Sequence, residues 1–259
     1  MAQPDLFGGL ATHYDALMTH VNYDRWFHVT GVLAGLLPPG FVHIDAACGT
    51  GVLLERALRA GWRSVGVDLS ASMLAALRKT RGALPCAVGD LRALPVRGAD
   101  LITCLFDSIN FLLEHEEVEL ALVNLAGAMR DGGLLYFDVV TERMMVDHFA
   151  NQTWTETHHG FRTTWANHYD PATRICETWV RVNTGAESAT RERAYDLDFL
   201  VEAVENAGLT LFGAFDVEGW KPPSRRTCRI DFIAAKNPTA ELRRRVEKSL
   251  AEMQRKRRW

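Results

Sequence analysis

Nowhere in the 259-residue chain do about 18 apolar residues run together, so no segment is long enough to cross a bilayer as a helix. The first residues, Met1-Ala-Gln-Pro-Asp-Leu6, lack the basic-then-apolar order of a secretory leader. Charge of one sign is also missing. Lys and Arg number 29 against 32 Asp and Glu, a net −3, which gives neither nucleic acid nor a membrane surface a global electrostatic reason to bind. Cysteine is sparse, at positions 48, 86, 104, 176 and 228 with no Cys-x-x-Cys pair. An odd, scattered set argues against a disulfide framework or a zinc site and for reduced thiols in a cytoplasmic setting. No internal repeat or low-complexity segment is visible. What remains is an ordinary globular composition, 47% hydrophobic and 24% charged, enough for one large domain or one domain with a small appendage.

The stretch Phe41-Val-His-Ile-Asp-Ala-Ala-Cys-Gly-Thr-Gly51 organises the rest. It reads as a short buried strand ending in Asp45, a loop of small residues, and then an apolar helix over 52–60. Small residues let the backbone turn sharply and let a ligand approach it. A charge at the carboxyl end of a strand lies where open α/β sheets bind ligands.

Upstream, apolar residues at spacings of three and four over 11–37 predict one or two amphipathic helices, closed by Pro38-Pro39-Gly40. Downstream, Ser64–Asp68 predicts a second strand, and Ser70 an N-cap for a helix carrying Met73, Leu74 and Leu77. Further strands are expected at Cys86–Asp90, Ala99–Phe106 and Leu134–Val140, with a helix over 115–130 ending at Asp131-Gly-Gly. Strands alternating with helices imply right-handed βαβ units and a mainly parallel sheet. After a short helix at 142–149 the rhythm changes. Thr- and aromatic-rich segments at 153–157, 161–169 and 175–182 read as an antiparallel meander. A helix over 198–207 follows. Strands at 209–215 and 229–235 are placed back in the main sheet, and a basic amphipathic helix ends the chain. The division expected is an α/β domain of residues 1–150 and 193–237, a β insertion over 151–192, and the basic helix over 238–259.

Asp45, Asp68 and Asp90 end three successive strands at nearly even spacing. An acid after the second strand can accept both hydroxyls of a ribose, and one after the third can take an adenine amino group. A dinucleotide would want Gly-x-Gly-x-x-Gly and a helix N-terminus aimed at pyrophosphate. Here Gly49-Thr-Gly51 is followed by Val-Leu-Leu, and Asp45 would repel a phosphate. The pattern suits a nucleoside that carries an ammonium group and no phosphate.

Asp45-Ala-Ala-Cys-Gly-Thr-Gly51, Gly66-Val-Asp-Leu-Ser70 with Met73-Leu74, Gly89-Asp-Leu91, Asp100–Asn110 and Asp131–Asp138 resemble, in order, the five motifs of class I S-adenosylmethionine-dependent methyltransferases. The resemblance implies a Rossmann-like, mostly parallel seven-stranded sheet with a small antiparallel β-sheet insertion after strand five, and S-adenosyl-L-methionine as cofactor. It implies that Asp45, Ala47, Gly49 and Gly51 meet the methionine part. Asp68 would hold the ribose, Leu69 and Met73 the adenine face, and Asp90 and Leu91 its edge, with Leu105 and Ser108 beside the sulfonium. Tyr14-Asp15 with Leu17-Met18, and Val21-Asn-Tyr23 with Trp26, are similar to the N-terminal helix of a group that includes bacterial amino-sugar N,N-dimethyltransferases. By that likeness Tyr14, Tyr23 and Trp26 form a lid over the cofactor.

Methyl transfer asks the protein mainly to align two groups and exclude water. An amine acceptor need only be neutral, whereas a hydroxyl needs a base. Asp107, Tyr195 and the pair His158-His159 are the candidate bases, His159 among them as the one set forward for catalysis, and no metal is called for. The expected activity is transfer to a nitrogen or oxygen atom of a small-molecule acceptor by a cytoplasmic monomer or homodimer. Residues 240–259 hold eight Lys/Arg against three Glu around a stripe of Leu242, Val246, Leu250 and Met253. This suits a helix docked on the surface or on a second subunit. It also leaves open a tRNA or protein methyltransferase using the basic tail, and a non-catalytic cofactor-binding regulator.

Overall fold

The computed structural model describes residues 5–256. The ends of the expected N-terminal and C-terminal segments, 1–4 and 257–259, lie outside the described residues. Seven strands form one sheet in the order β10-β11-β5-β4-β1-β2-β3. Its members are β1 (Val42–Ala46), β2 (Arg63–Asp68), β3 (Cys86–Val88), β4 (Ala99–Cys104), β5 (Met129–Val140), β10 (Leu209–Asp216) and β11 (Arg229–Lys236). The first five pair in parallel, while β11 pairs antiparallel with both β5 and β10. All parallel strands therefore end on one edge, and strand order reverses beside β1, where such sheets open a crevice.

The sheet is covered on both faces, as the near-continuous apolar runs of β4 and β5 require. Helices α5 (His115–Ala128) and α7 (Leu197–Asn206) bury Val118, Leu122, Leu125, Leu200 and Val204 on one face. Helices α2 (Tyr23–Ala34) and α8 (Ala240–Lys256) cover the other, with Trp26, Val29 and Leu33 packed beside Val246, Leu250 and Met253. The apolar stripe of the basic helix is thus spent on the chain's own domain, and Arg243, Arg244 and Lys248 stay exposed. Ser70 caps α4 (Ala71–Arg81) as expected, its hydroxyl accepting Met73 N–H at 3.0 Å. Ahead of α2 stands a single turn, α1 (Tyr14–Leu17).

Helix α5 stops at Ala128, three residues before the expected Asp131-Gly-Gly, and β5 begins at Met129. The two glycines are an irregularity inside the strand. Gly132 takes φ +78°, and a Cβ on Gly133 would stand 2.9 Å from Arg130 O and 3.2 Å from Ala99 O. The parallel register slips at this point, between Ala99 and Leu101.

Beyond β5 come α6 (Glu142–Met144), a single π turn, and a second sheet in the order β6-β7-β8-β9. Three of its strands, β6 (Thr153–His158), β7 (Phe161–Asp170) and β8 (Ile175–Val182), follow the expected meander. The fourth, β9 (Glu187–Arg193), was not foreseen. Its sequence, Glu-Ser-Ala-Thr-Arg-Glu-Arg, is charged and carries none of the aromatic alternation of its neighbours. One face of this sheet packs Val180 and Val182 against Leu10 and Leu17 of the N-terminal segment, so residues 5–22 bridge the two sheets.

Candidate functional site

The carboxyl edge of the main sheet, the N-terminal segment and the four-stranded sheet enclose a cleft of about 880 Å³. Asp45, Asp68 and Asp90 all line it, but the three acids sit in different environments. Asp45 is buried, and burial pushes its carboxyl up to about 7 although the Thr103 hydroxyl donates to it at 2.8 Å. Thr103 in turn lies 2.9 Å from His43 Nε2, and His43 Nδ1 lies 3.1 Å from Ser64 Oγ. With Asp45 ionised, the Thr103 hydroxyl donates to it, and the imidazole then donates from Nε2 to Thr103 and accepts from Ser64 at Nδ1. Burial lowers His43 to about 3 and so keeps it neutral. A lone histidine in the apolar strand β1 thus anchors a three-membered hydrogen-bonded chain beneath the buried acid.

Asp68 accepts backbone N–H groups on both oxygens, from Ser70 at 2.8 Å and Gly49 at 2.6 Å. Burial raises its carboxyl, and those two donors oppose the rise. A carboxylate has about four acceptor sites, so it keeps capacity for two hydroxyl donors. Asp90 differs. Arg92 holds both of its oxygens in a guanidinium fork, with Nη2 at 2.6 Å and Nε at 3.0 Å, and holds its carboxyl below the usual range. Arg92 also pairs with Glu117. A base amino group reaching Asp90 must share it with that fork.

The loop after β1 separates two glycines with different jobs. Both adopt positive φ, +55° at Gly49 and +81° at Gly51. A Cβ on Gly51 would meet Leu77 Cδ1 at 2.5 Å, whereas one on Gly49 would meet nothing within 4 Å. Gly51 is therefore packed against α4 and does not line the cleft, contrary to expectation, because protein fills the space above it. Gly49 borders open space. Ala47, Leu91, Leu105 and Ser108 also line the cleft, as do Leu69 and Met73. Leu69 is 47% exposed beside Asp68, an apolar face free to meet a flat ring. Tyr14, Tyr23 and Trp26 line it from the N-terminal side.

None of the candidate bases lines the cleft. Tyr195 is buried and its hydroxyl donates to Leu112 O, which fixes the loop before α5. Asp107 is buried against the Arg229 guanidinium, 3.2 Å away. His159 is exposed in the two-residue turn between β6 and β7, with Gly160 at φ +90°. His158 stacks on Phe161 at 4.7 Å and bonds Thr163.

Several lining residues had no sequence signal. Asp5 reaches the start of α4, accepting from Ser70 Oγ at 2.7 Å and Ser72 N–H at 3.1 Å. Phe7 packs edge-on to Tyr14 and Phe111. The second sheet contributes Trp179, 44% exposed, with the Glu177–Arg191 ion pair at 3.2 Å beside it.

Comparison with known proteins places this architecture. Residues 44–133 match the model of a methyltransferase domain. A Bacillus subtilis (strain 168) protein named as a methyltransferase, YqeM, is 25% identical over 247 residues, covering 90% of this chain and 98% of that protein. The dTDP-3-amino-3,6-dideoxy-alpha-D-glucopyranose N,N-dimethyltransferase of Streptomyces fradiae is 30% identical over 139 residues, 51% of this chain and 54% of its own length. An S-adenosylmethionine-dependent methyltransferase from Clostridium acetobutylicum ATCC 824 shares the fold. Its TM-score is 0.75 at 22% identity, over 89% of this chain and 98% of that one.

Proposed function

This chain is a class I S-adenosylmethionine-dependent methyltransferase, and we propose that it moves the methyl group to a nitrogen or oxygen atom of a small-molecule acceptor, with nitrogen the atom its cleft favours. The observation that carries the reading is the set of acids gathered from β1, β2 and the turn after β3 on one wall of a single cleft. The residues present fit the cofactor. Asp45, buried and raised to about 7, lacks a cation to match its charge, and Gly49 leaves empty the space a side chain would fill.

Bound S-adenosylmethionine supplies a methyl group on a positively charged sulfur, whose departure as a neutral thioether makes the transfer an in-line displacement. The chain's part is to bind, orient and dry. Asp45 and the 47–49 backbone take the ammonium-bearing arm, and Asp68 accepts the ribose hydroxyls. Leu69 and Met73 face the base, while Asp90 and Leu91 meet its edge. Leu105 and Ser108 flank the reacting end. Tyr14, Tyr23 and Trp26 exclude water from above, where a displaced water would otherwise compete for the activated carbon.

Division of labour between the two parts of the molecule belongs to the same proposal. Residues 1–150 and 193–237 hold the cofactor, and the 151–192 insertion shapes the acceptor pocket through Trp179 and Glu177. The cleft lining holds seven carboxylates against two arginines, Arg92 and Arg191, and although those arginines are paired with Glu117 and Glu177, the excess of acids draws a protonated amine in. The amino-sugar N,N-dimethyltransferase relative supports the choice of nitrogen. The test is a panel of amino sugars, simple amines and matched alcohols, read by release of S-adenosylhomocysteine. Turnover confined to nitrogen acceptors is expected. Turnover of the alcohols alone would transfer the assignment to oxygen, and turnover of tRNA or a protein in place of every small molecule would overturn it.

A further inference from the structure

Behind the cleft wall lies a buried cluster of charge that cofactor binding, as described above, does not use. Phe106 and Asp107 are consecutive non-glycine residues with left-handed backbone, φ +64° and +53°, a conformation that persists only where the surroundings impose it. Asp138 on β5 imposes it. Its Oδ1 accepts Phe106 N–H at 2.6 Å, and its Oδ2 takes the longer Asp107 N–H contact at 3.4 Å. Arg229 on the adjoining strand β11 donates to that same Oδ2 and stands 3.2 Å from Asp107 Oδ2. One guanidinium thus bridges the acid that bends the loop and an acid within it.

The guanidinium also meets two rings that line the cleft. Its Cζ lies 5.6 Å from the Trp26 ring centre and 5.5 Å from that of Phe106, and the rings are 5.4 Å apart. Trp26 belongs to α2, which is held to the same strand independently. Arg25 pairs with Asp231, donates to Val217 O at 3.2 Å, and lies 5.8 Å from the Trp220 ring. Asp231 stands opposite Asp138 in the β5–β11 ladder. From the second sheet, buried Glu192 lies within electrostatic reach of Asp107 and Arg229. Lid, strand-four loop and insertion therefore converge on one arginine that does not line the cleft.

We propose that Arg229 is a positioning residue for methyl transfer: from outside the cleft it sets where Trp26 and Phe106 stand, and so fixes the wall beside the cofactor's charged reacting end, which Leu105 and Ser108 flank. Lysine keeps the charge but has no planar fork to bridge two carboxylates and no flat face to lie over two rings. The inference rests on the cofactor placement proposed above, so Asp68→Ala serves as a control for that placement.

The test titrates S-adenosylmethionine and 5′-methylthioadenosine, which keeps the nucleoside but lacks the amino-acid arm and the charge, into wild type, Arg229→Lys, Phe106→Leu and the double variant. For Arg229→Lys the S-adenosylmethionine dissociation constant is expected to rise about tenfold, in keeping with loss of a desolvated ring–cation arrangement. Methylthioadenosine affinity should stay within about twofold. Phe106→Leu should show the same selective loss, and the double variant should be scarcely weaker than either single one, because coupled residues do not add. Equal weakening of both ligands, additive losses, or an unchanged S-adenosylmethionine affinity would each overturn the proposal. If Arg229→Lys does not fold, Phe106→Leu and Trp26→Leu decide alone: both must lose S-adenosylmethionine selectively, and failure of either sinks the idea. An unaffected Asp68→Ala would instead count against the cofactor placement itself.

Discussion

The two sheets meet at one cleft but contribute to it in opposite ways. The parallel sheet offers carboxylates at strand ends, with backbone N–H groups or a hydroxyl already bonded to them, as at Asp68 and Asp45. The antiparallel sheet offers exposed side chains on a β-surface, Trp179 and the Glu177–Arg191 pair. A group held by two or three fixed donors is pre-organised, and changing it forfeits charge-assisted bonds. A half-exposed ring can be exchanged without unsettling the fold. Under the proposed function, one wall would hold the cofactor and the other could be altered to change which acceptor is brought to it.

That contrast can be broken or sharpened experimentally, beginning with the largest effect. Asp68→Ala removes the proposed acceptor for two ribose hydroxyls, and charge-assisted hydrogen bonds of about 1.5–3 kcal/mol each predict a loss of cofactor affinity of at least about a hundredfold by calorimetry. Asp45→Asn should weaken binding by about 10- to 100-fold on the same grounds and also flatten its pH dependence. The Asp45 carboxyl is raised from 3.8 to about 7 in the folded chain. Its neutral form therefore favours the folded, ligand-free protein at low pH, and that contribution is lost as pH rises through about 7. A cationic ligand prefers the ionised form. Wild-type affinity should rise by up to about tenfold per pH unit below 7 and level off above it, while Asp45→Asn should show no such slope.

On the other wall, Trp179→Ala is expected to cut kcat/KM for the acceptor about tenfold, the scale of losing an aromatic contact of 0.5–1.5 kcal/mol with its buried area. Cofactor affinity should not change; an equal loss of both would erase the distinction between the walls. Gly51→Ala should destabilise the protein by about 1–3 kcal/mol in thermal unfolding, since it overpacks Leu77 at an unfavourable φ. Gly49→Ala should cost less stability but weaken cofactor binding more, since its new methyl would point into open space. The smallest effect is expected for His159→Ala, which should leave cofactor affinity and turnover within about twofold, as for an exposed turn residue.

The acid-lined wall of the cleft was legible in the sequence because each of its parts is local. A strand, the acid that ends it and the small residues that follow lie within ten positions, as in Phe41–Gly51, and the parallel sheet then brings three such ends together. The edge strand β9 was not legible, because an edge strand does not need the apolar alternation that marks a buried one. The error at Asp131-Gly-Gly has a related cause. Paired glycines signal a helix end, but the same freedom of φ also serves a break in strand register, and only the pairing of Ala99 with Met129 distinguishes them. The candidate bases lie outside the cleft lining for a different reason. Asp107 and Tyr195 have the right chemistry, yet their polar atoms are spent on Arg229 and Leu112, a commitment fixed by residues distant in sequence. Arg229 itself sits among ordinary polar residues in a terminal strand and shows nothing until β11 is laid beside β5. His43 did carry a signal, as the one polar side chain within an otherwise apolar run, and its bond to Thr103 gives that signal a meaning.

The hydrogen-bonded chain under Asp45 has a consequence for the catalytic cycle. Burial raises that carboxyl to about 7, so near neutral pH the ligand-free protein holds it in both protonated and ionised forms. Arrival of the cofactor is then partly an exchange of one cation for another, with the proton leaving as the ammonium enters. The protein should therefore take up or release protons with each cofactor it admits or discharges. That exchange would appear as a buffer-dependent heat of binding before any acceptor is present.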